Sequence, residues 1–370
     1  MKSMMTIFIK HRCTQALSTR TLWAGISFVL LSLSGCSITK TEHTTSTHEA
    51  SNVADFKPYV EIYDAEAQPY LAQNAAIKTL GQGYIWTEGP VWINKDEASK
   101  KSGYLLFSDI PNNTIMKYTP NHPVELYLEK SGATQLYEGD YSQGSNGLLL
   151  SPTGKLVLLQ QGDRRVALMD ADLSQPQSRF KTLASHYENK RLNSPNDAVY
   201  HADGSLYFTD PPYGLAKGLN DKRKALSYQG IYRISPTGKL ELLDSSVNFP
   251  NGIGLSLDQK TLFVAVSDQQ HPRWLAYDVQ DDGSVSNKRI LIDARKPVHQ
   301  GDKGMPDGMV LHSSGNLFMT GPGGVWFVTP KGKVLAKIYT GKLTANCTLS
   351  ADEKTLYLTA HDTLMSVQLK

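Results

Sequence analysis

Six times along the chain a polar or acidic residue opens an apolar run, and a second apolar run follows behind a tight turn. The openers are Glu88 (E-G-P-V-W), Asn146 (N-G-L-L-L), Asn196 (N-D-A-V-Y), Asn251 (N-G-I-G-L), Asp307 (D-G-M-V-L) and Asn346 (N-C-T-L-S), spaced by 58, 50, 55, 56 and 39 residues. A repeat of about 50 residues built only from strands and turns is the signature of a β-propeller. In a propeller the innermost strands all start at one end of a central channel. The six openers should therefore converge there, and all six carry a side-chain oxygen. A ring of oxygen donors that includes two carboxylates is a site for a hard divalent cation.

The rest of each repeat fits the same plan. Turns such as Ser151-Pro152-Thr153-Gly154, Ala202-Asp203-Gly204 and Ser313-Ser314-Gly315 supply the residues that hairpins need. Second strands are expected at Tyr104–Ser108, Leu156–Gln160, Leu206–Thr209, Leu262–Val266, Leu317–Thr320 and Leu356–Thr359, with third and fourth strands behind them. The sixth repeat runs out at Lys370 on its third strand. Ile77–Leu80 supplies the missing strand, so the fold class is all-β, a six-bladed β-propeller closed by an N-terminal strand over residues 75–370. Closure by the two ends removes exposed sheet edges. The loop Pro211–Gln229 is long enough to expect a functional role.

Ahead of the repeats lies a different composition. Residues 1–20 carry Lys2, Lys10, Arg12 and Arg20 without an acid, residues 21–34 carry no charge, and Leu33-Ser34-Gly35-Cys36 reads as a lipobox. The apolar run is short for a membrane span, and residues 1–35 are read as a signal peptide. This leader resembles that of a bacterial lipoprotein, with lipid on Cys36 as the membrane attachment. Ser37 rather than Asp then points to the outer membrane, facing the periplasm. Residues 36–74 are expected to form the lipidated N-terminus and a flexible tether. Loss of residues 1–35 removes four positive charges and takes the formal charge from +3 to −1. No basic cluster interleaved with aromatics remains, which argues against a nucleic-acid partner. Cys347, the remaining cysteine, reads as a small buried apolar residue. A monomer is expected.

Within the ring, Glu88 and Asp307 bring charge while Asn196 and Asn251 bring neutral carbonyl oxygens. That mixture suits one divalent cation, Ca²⁺ first, with Mg²⁺ or Zn²⁺ as alternatives; Zn²⁺ prefers His or Cys. Such a cation can polarise a carbonyl or phosphoryl oxygen, and Asp307 is placed to act as general base. Asn146, Arg191, Tyr213 and His361 are candidate substrate-binding residues at the same mouth. No G-x-S-x-G elbow, phosphate loop or dinucleotide fingerprint occurs.

The chain resembles the gluconolactonase family, which includes regucalcin (senescence marker protein), over about residues 75–370. The motifs are Glu88-Gly89-Pro90-Val91-Trp92, Ser108-Asp109-Ile110-Pro111-Asn112-Asn113, Arg191-Leu192-Asn193-Ser194-Pro195-Asn196-Asp197, Thr209-Asp210-Pro211-Pro212-Tyr213-Gly214, Phe249-Pro250-Asn251-Gly252 and Pro306-Asp307-Gly308-Met309. The resemblance implies a metal-dependent hydrolase that opens sugar lactones, with the metal on Glu88, Asn196, Asn251 and Asp307. It differs in one place: many relatives carry Glu-His-Gly before the paired arginines, where this chain has Gln160-Gln161-Gly162 before Asp163-Arg164-Arg165. An organophosphate or ester hydrolase and a non-catalytic ligand-binding propeller are the alternatives on the same scaffold.

Overall fold

The structure, a computed structural model, describes residues 56–95, 102–136 and 143–370. The leader, Cys36 and the tether up to residue 55 lie outside the described residues. Six antiparallel blades of the propeller run in chain order around one axis. Their innermost strands are Thr87–Asn94, Ser145–Leu150, Ala198–Tyr200, Pro250–Leu255, Met309–Leu311 and Thr344–Leu349. Each is followed outward by its second, third and fourth strands, as in blade one with Gly103–Asp109, Thr114–Tyr118 and Glu125–Glu129. The sixth blade takes its outer strand from Ile77–Gln82, which pairs with Thr363–Gln368. Ring closure is therefore made where the sequence places it.

The second strands are apolar on both faces because each blade is covered on both sides. Leu106 faces blade two, beside Leu148 and Leu158, whereas Leu105 and Phe107 face blade six, beside Tyr357 and Leu364. Six apolar clusters result, one at each blade-to-blade interface. This explains why these strands read as continuous apolar runs rather than alternating ones.

Residues 56–74 correct one expectation. Tyr59–Ile62 is not tether but a fifth strand on blade five, antiparallel to Val334–Tyr339 with Tyr59 opposite Tyr339. Val60, Ala67 and Leu71 are buried in the cluster between blades five and six. Apolar burial at these positions offsets the ordering entropy that a tether could not.

The start of each inner strand is fixed by its neighbours. A Cβ on Gly89 would lie 2.0 Å from the Asn146 carbonyl oxygen, one on Gly147 2.7 Å from that of Asn196, and one on Gly252 2.1 Å from that of Asp307. At Gly308 it would meet the Asn346 side chain at 2.0 Å. The glycine after an opener is thus the space into which the following opener fits. Hydroxyls at the ends of second strands complete the stitching. Ser108 Oγ donates to Asn146 O (2.8 Å), Thr209 Oγ1 to Asn251 O (2.7 Å), Ser267 Oγ to Pro306 O (2.6 Å) and Thr320 Oγ1 to Ala345 O (2.7 Å), each across to the next blade.

Replacing Gly252 by Ala should therefore push against a backbone carbonyl that cannot rotate away, at a cost of about 3 kcal/mol. Denaturant titration measures it; a loss below about 1 kcal/mol would contradict the tight approach.

Candidate active site at the channel mouth

Five of the six openers converge, while the sixth, Asn346, lines a second cavity instead. Glu88, Asn146, Asn196, Asn251 and Asp307 line one cavity of about 540 Å³ at the channel mouth, with Trp86 and Tyr213 on its rim. Local backbone irregularity aims them there. Ladder register slips just after Glu88, Ser145 and Pro250, and such bulges re-aim side chains. Before Asn251, Phe249 adopts φ 51°, a left-handed conformation that costs a bulky side chain energy and marks a constrained site.

The site is acidic, and its carboxylates are buried. Glu88 is 3 % exposed and Asn196 2 %. Burial pushes the Glu88 carboxyl up to about 7, reinforced by repulsion from Asp197, although the Gly89 N–H, Asn346 and Trp86 hydrogen-bond to it. Asp307 is raised well above its ordinary value by desolvation first and then by Glu88 and Asp197. Asn251 hydrogen-bonds Asp307 and donates from Nδ2 to Ser267 Oγ at 2.9 Å. Asp307 Oδ1 and Asn146 Oδ1 are buried with no hydrogen-bond partner. No Lys, Arg or His lines the cavity among the described residues, so the charge has no internal counter-ion.

Two oxygens left bare in a buried anionic pocket fit a hard cation, with Glu88 and Asp307 as charged donors and Asn196 and Asn251 as neutral ones. Among the described residues no three His, Cys, Asp or Glu side chains gather closely enough to hold a metal alone. The amides are therefore part of the set.

Sequence reasoning did not single out Asp197. Its carboxylate accepts from Ala198 N (2.9 Å) and Ile253 N (3.4 Å), and desolvation raises it to about 7. It lines a second cavity of about 390 Å³ further along the channel, beside Asn346 and Met309. The available signal was the break in pattern, Asn-Asp where four other openers precede Gly. Arg164 was also missed. It is fully buried and clamps the Asn196 loop, donating to Leu192 O (2.9 Å) and Asn193 O (2.8 Å). Asp210 ties the same loop through Asn193 N (2.7 Å) and Ser194 N (2.8 Å).

The structure does not bring every candidate into the cavity. Arg191 sits on a short hairpin, donates to Asp163 O at 2.9 Å, and is not among the lining side chains. His361 occupies a hairpin turn at φ 57° and meets Trp86 edge-on at 5.3 Å, outside the lining. Both placements have one cause: a polar residue near a mouth is used to shape the loop that presents its neighbour. Tyr213 does enter, stacked on Phe249 at 5.9 Å and hydrogen-bonded to Ser267. In the loop behind it, Arg223 pairs with Asp221 at 2.9 Å and Lys222 is exposed. Cys347 is buried and free, its thiol pushed up by desolvation.

Fold and site together define a class: a six-bladed propeller with one oxygen-lined, anionic pocket where its inner strands begin. Residues 86–362 match the family model described as "SMP-30/Gluconolactonase/LRE-like region", and the chain belongs to that family. It is 35% identical over 300 residues to a gluconolactonase of Zymomonas mobilis, covering 80% of this chain and 81% of the relative. It is 25% identical to Xenopus laevis regucalcin over 76% of this chain and 85% of that one. A solved structure described as a gluconolactonase from Xanthomonas campestris superposes with a TM-score of 0.70 at 26% identity, covering 85% of this chain and 96% of that one.

A raised carboxylate pKa has a defined sign. Glu88 binds its proton more tightly folded than unfolded, so its contribution to stability is full below the unfolded value and is lost as pH rises through about 7. In chelator-treated protein, wild type should lose about 2–3 kcal/mol relative to Glu88→Gln between pH ~5 and ~8. Paired denaturant titrations across that range give the difference, and a flat difference would show that the carboxylate is not desolvated.

Proposed function

We propose that the protein is a divalent-cation-dependent hydrolase that opens sugar lactones. The observation that carries this reading is the unpartnered Asp307 oxygen in a buried carboxylate–amide pocket that lacks a counter-ion. The family, and the gluconolactonase at 35% identity over most of both chains, supports the substrate class.

Glu88, Asn196, Asn251 and Asp307 would hold the cation, and an all-oxygen donor set with two amides favours Ca²⁺. Bound there, a cation supplies Lewis acidity toward a lactone carbonyl oxygen. Asp307 takes a proton from the attacking water and returns it to the ring oxygen as the acyl C–O bond breaks, which releases the open-chain hydroxy acid. Glu88 would be the second charged donor, ionised when the cation is bound. Trp86 and Tyr213 bound the space in which a ring can lie. No covalent intermediate is required, since a strained ester needs only one Lewis acid and one base. Lipidation of Cys36 and display at the outer membrane belong to the same proposal, supported by the leader composition; mass spectrometry of the native N-terminus tests them.

Turnover of gluconolactone followed by pH-stat should require Ca²⁺ and stop with chelator. Asp307→Asn should lower kcat at least a hundredfold, on the order expected for loss of a general base. Glu88→Gln should chiefly weaken cation affinity, and Asn196→Ala should be milder than either because water can replace a neutral oxygen. Near-normal turnover by Asp307→Asn with cation still bound would remove the assigned role. Wild type inert toward lactones at saturating Ca²⁺ would remove the reading itself.

A further inference from the structure

Four exposed apolar side chains stand together on one side of the channel mouth. Strand Tyr59–Ile62 starts at the mouth end of blade five, since Tyr59 pairs with Tyr339 and Tyr339 with Gly324. Gly324 ends the hairpin that Gly304, on the cavity wall, approaches. Phe56 therefore enters the domain on the mouth side. It packs on the loop between blades five and six, where a Cβ on Gly341 would lie 2.2 Å from its ring. Leu343 in the same loop lines the mouth cavity. Lys342 ties that loop to the last hairpin through Asp362 at 2.6 Å. His361 of the hairpin meets Trp86, and Ile85 precedes Trp86. Phe56, Tyr59, Leu343 and Ile85 thus form an arc on the rim over blades five, six and one. Phe56 is 52 % exposed, Ile85 53 %, Tyr59 46 % and Leu343 37 %. Exposed Lys57 and Lys303 stand beside the arc, the Lys303 carbonyl accepting from Gly323 N in the mouth-side hairpin. On the opposite face the turns at 151–154, 202–204, 313–315 and 351–354 are polar, and Leu257 is exposed in another turn. Single exposed apolar residues are ordinary, but a clustered set marks an interaction surface.

We propose that this arc docks on a lipid bilayer, the one that holds the Cys36 anchor, and tilts the channel mouth toward the membrane surface. The inference rests on the lipid-anchor reading and is independent of the hydrolase reading. Where the chain enters the domain selects the occupant. Residues 37–55 connect Cys36 to Phe56, and a polar chain of that length has an average span of about 25 Å. An anchor on Cys36 would therefore hold the mouth side, not the polar face, nearest the bilayer. Tethering makes docking intramolecular, so a weak apolar contact suffices. The composition suits a headgroup layer: tyrosine presents an apolar ring with a polar tip, and lysine keeps its ammonium beside anionic headgroups. The rim over blades two and three lies outside the arc and stays open to water, which leaves soluble lactones an entrance.

Fluorescence quenching by brominated lipid tests the docking. The full chain, purified and reconstituted in vesicles of brominated phosphatidylcholine with phosphatidylglycerol, is compared as Ile85→Trp, Phe56→Trp and Leu257→Trp. Each adds one exposed indole to the same background, and two mouth positions keep the test usable if one substitution disturbs its loop. Added emission should be roughly halved at Ile85 and Phe56, as for side chains seated about 5–10 Å into the headgroup boundary, and unchanged at Leu257. Mouth indoles that stay unquenched while the protein floats with the vesicles overturn the docking and leave the anchor standing; a concentration-dependent dimer in that case gives the arc to a second copy. Equal quenching at all three positions also overturns it, since no face is then preferred. An unmodified native N-terminus removes the anchor instead. Quenching confined to the mouth positions on added vesicles would then still uphold the surface, and its absence would overturn it.

Discussion

Six strand starts approach one axis so closely that the backbone of one blade occupies the side-chain space of the next. Gly89, Gly147, Gly252 and Gly308 exist because a carbonyl or amide of the following opener fills the volume a Cβ would take. From that crowding the rest follows. Opener side chains have nowhere to go except inward. Five of them bring their oxygens to one cavity wall, and the cross-blade hydroxyls of Ser108, Thr209, Ser267 and Thr320 hold the carbonyls in register. The interfacial clusters behind them supply the hydrophobic stabilisation that sustains such a centre.

The centre works against folding on its own terms. Glu88, Asp197 and Asp307 are all buried and raised by desolvation, with Asp197 adding repulsion on Glu88, and Glu88 and Asp197 adding it on Asp307. An isolated buried carboxylate is costly unless protonated, paired or bound to a metal. No basic side chain lines the mouth cavity to pair with them among the described residues. A divalent cation held there, as proposed, would resolve the conflict and turn a destabilising cluster into one that holds charge ready for a reacting carbonyl. Stability is surrendered at the site and recovered in the blade interfaces, a common division in enzymes.

Much of this was legible in the sequence because the repeat is a physical constraint, not a composition. The openers, the closing strand Ile77–Gln82 and strands such as Arg165–Met169 and Gly230–Ile234 were readable from apolar runs bounded by turn residues. The strand at Tyr59–Ile62 was not, since four residues outside the repeat carry little signal and its partner is far away in sequence. Asp197 was hidden differently. Its importance lies in the burial of a carboxylate held only by the backbone amides of Ala198 and Ile253, which depends on how the neighbouring blades pack around it. Arg191 and His361 show the converse: each sits near the mouth in sequence, but hydrogen bonding and ring packing use them in the supporting loops.

Cation binding coupled to proton release tests the account most directly. Ligand carboxylates held near pH 7 must lose protons when a metal binds. Calorimetric titration of chelator-treated protein with Ca²⁺ at pH ~6.5, in two buffers of different ionisation enthalpy, should show a single site per chain and roughly one proton released per cation. Asp307→Asn should weaken the binding and reduce the release. Absence of saturable binding, or binding with the same enthalpy in both buffers, would contradict a buried carboxylate pocket built to hold a cation.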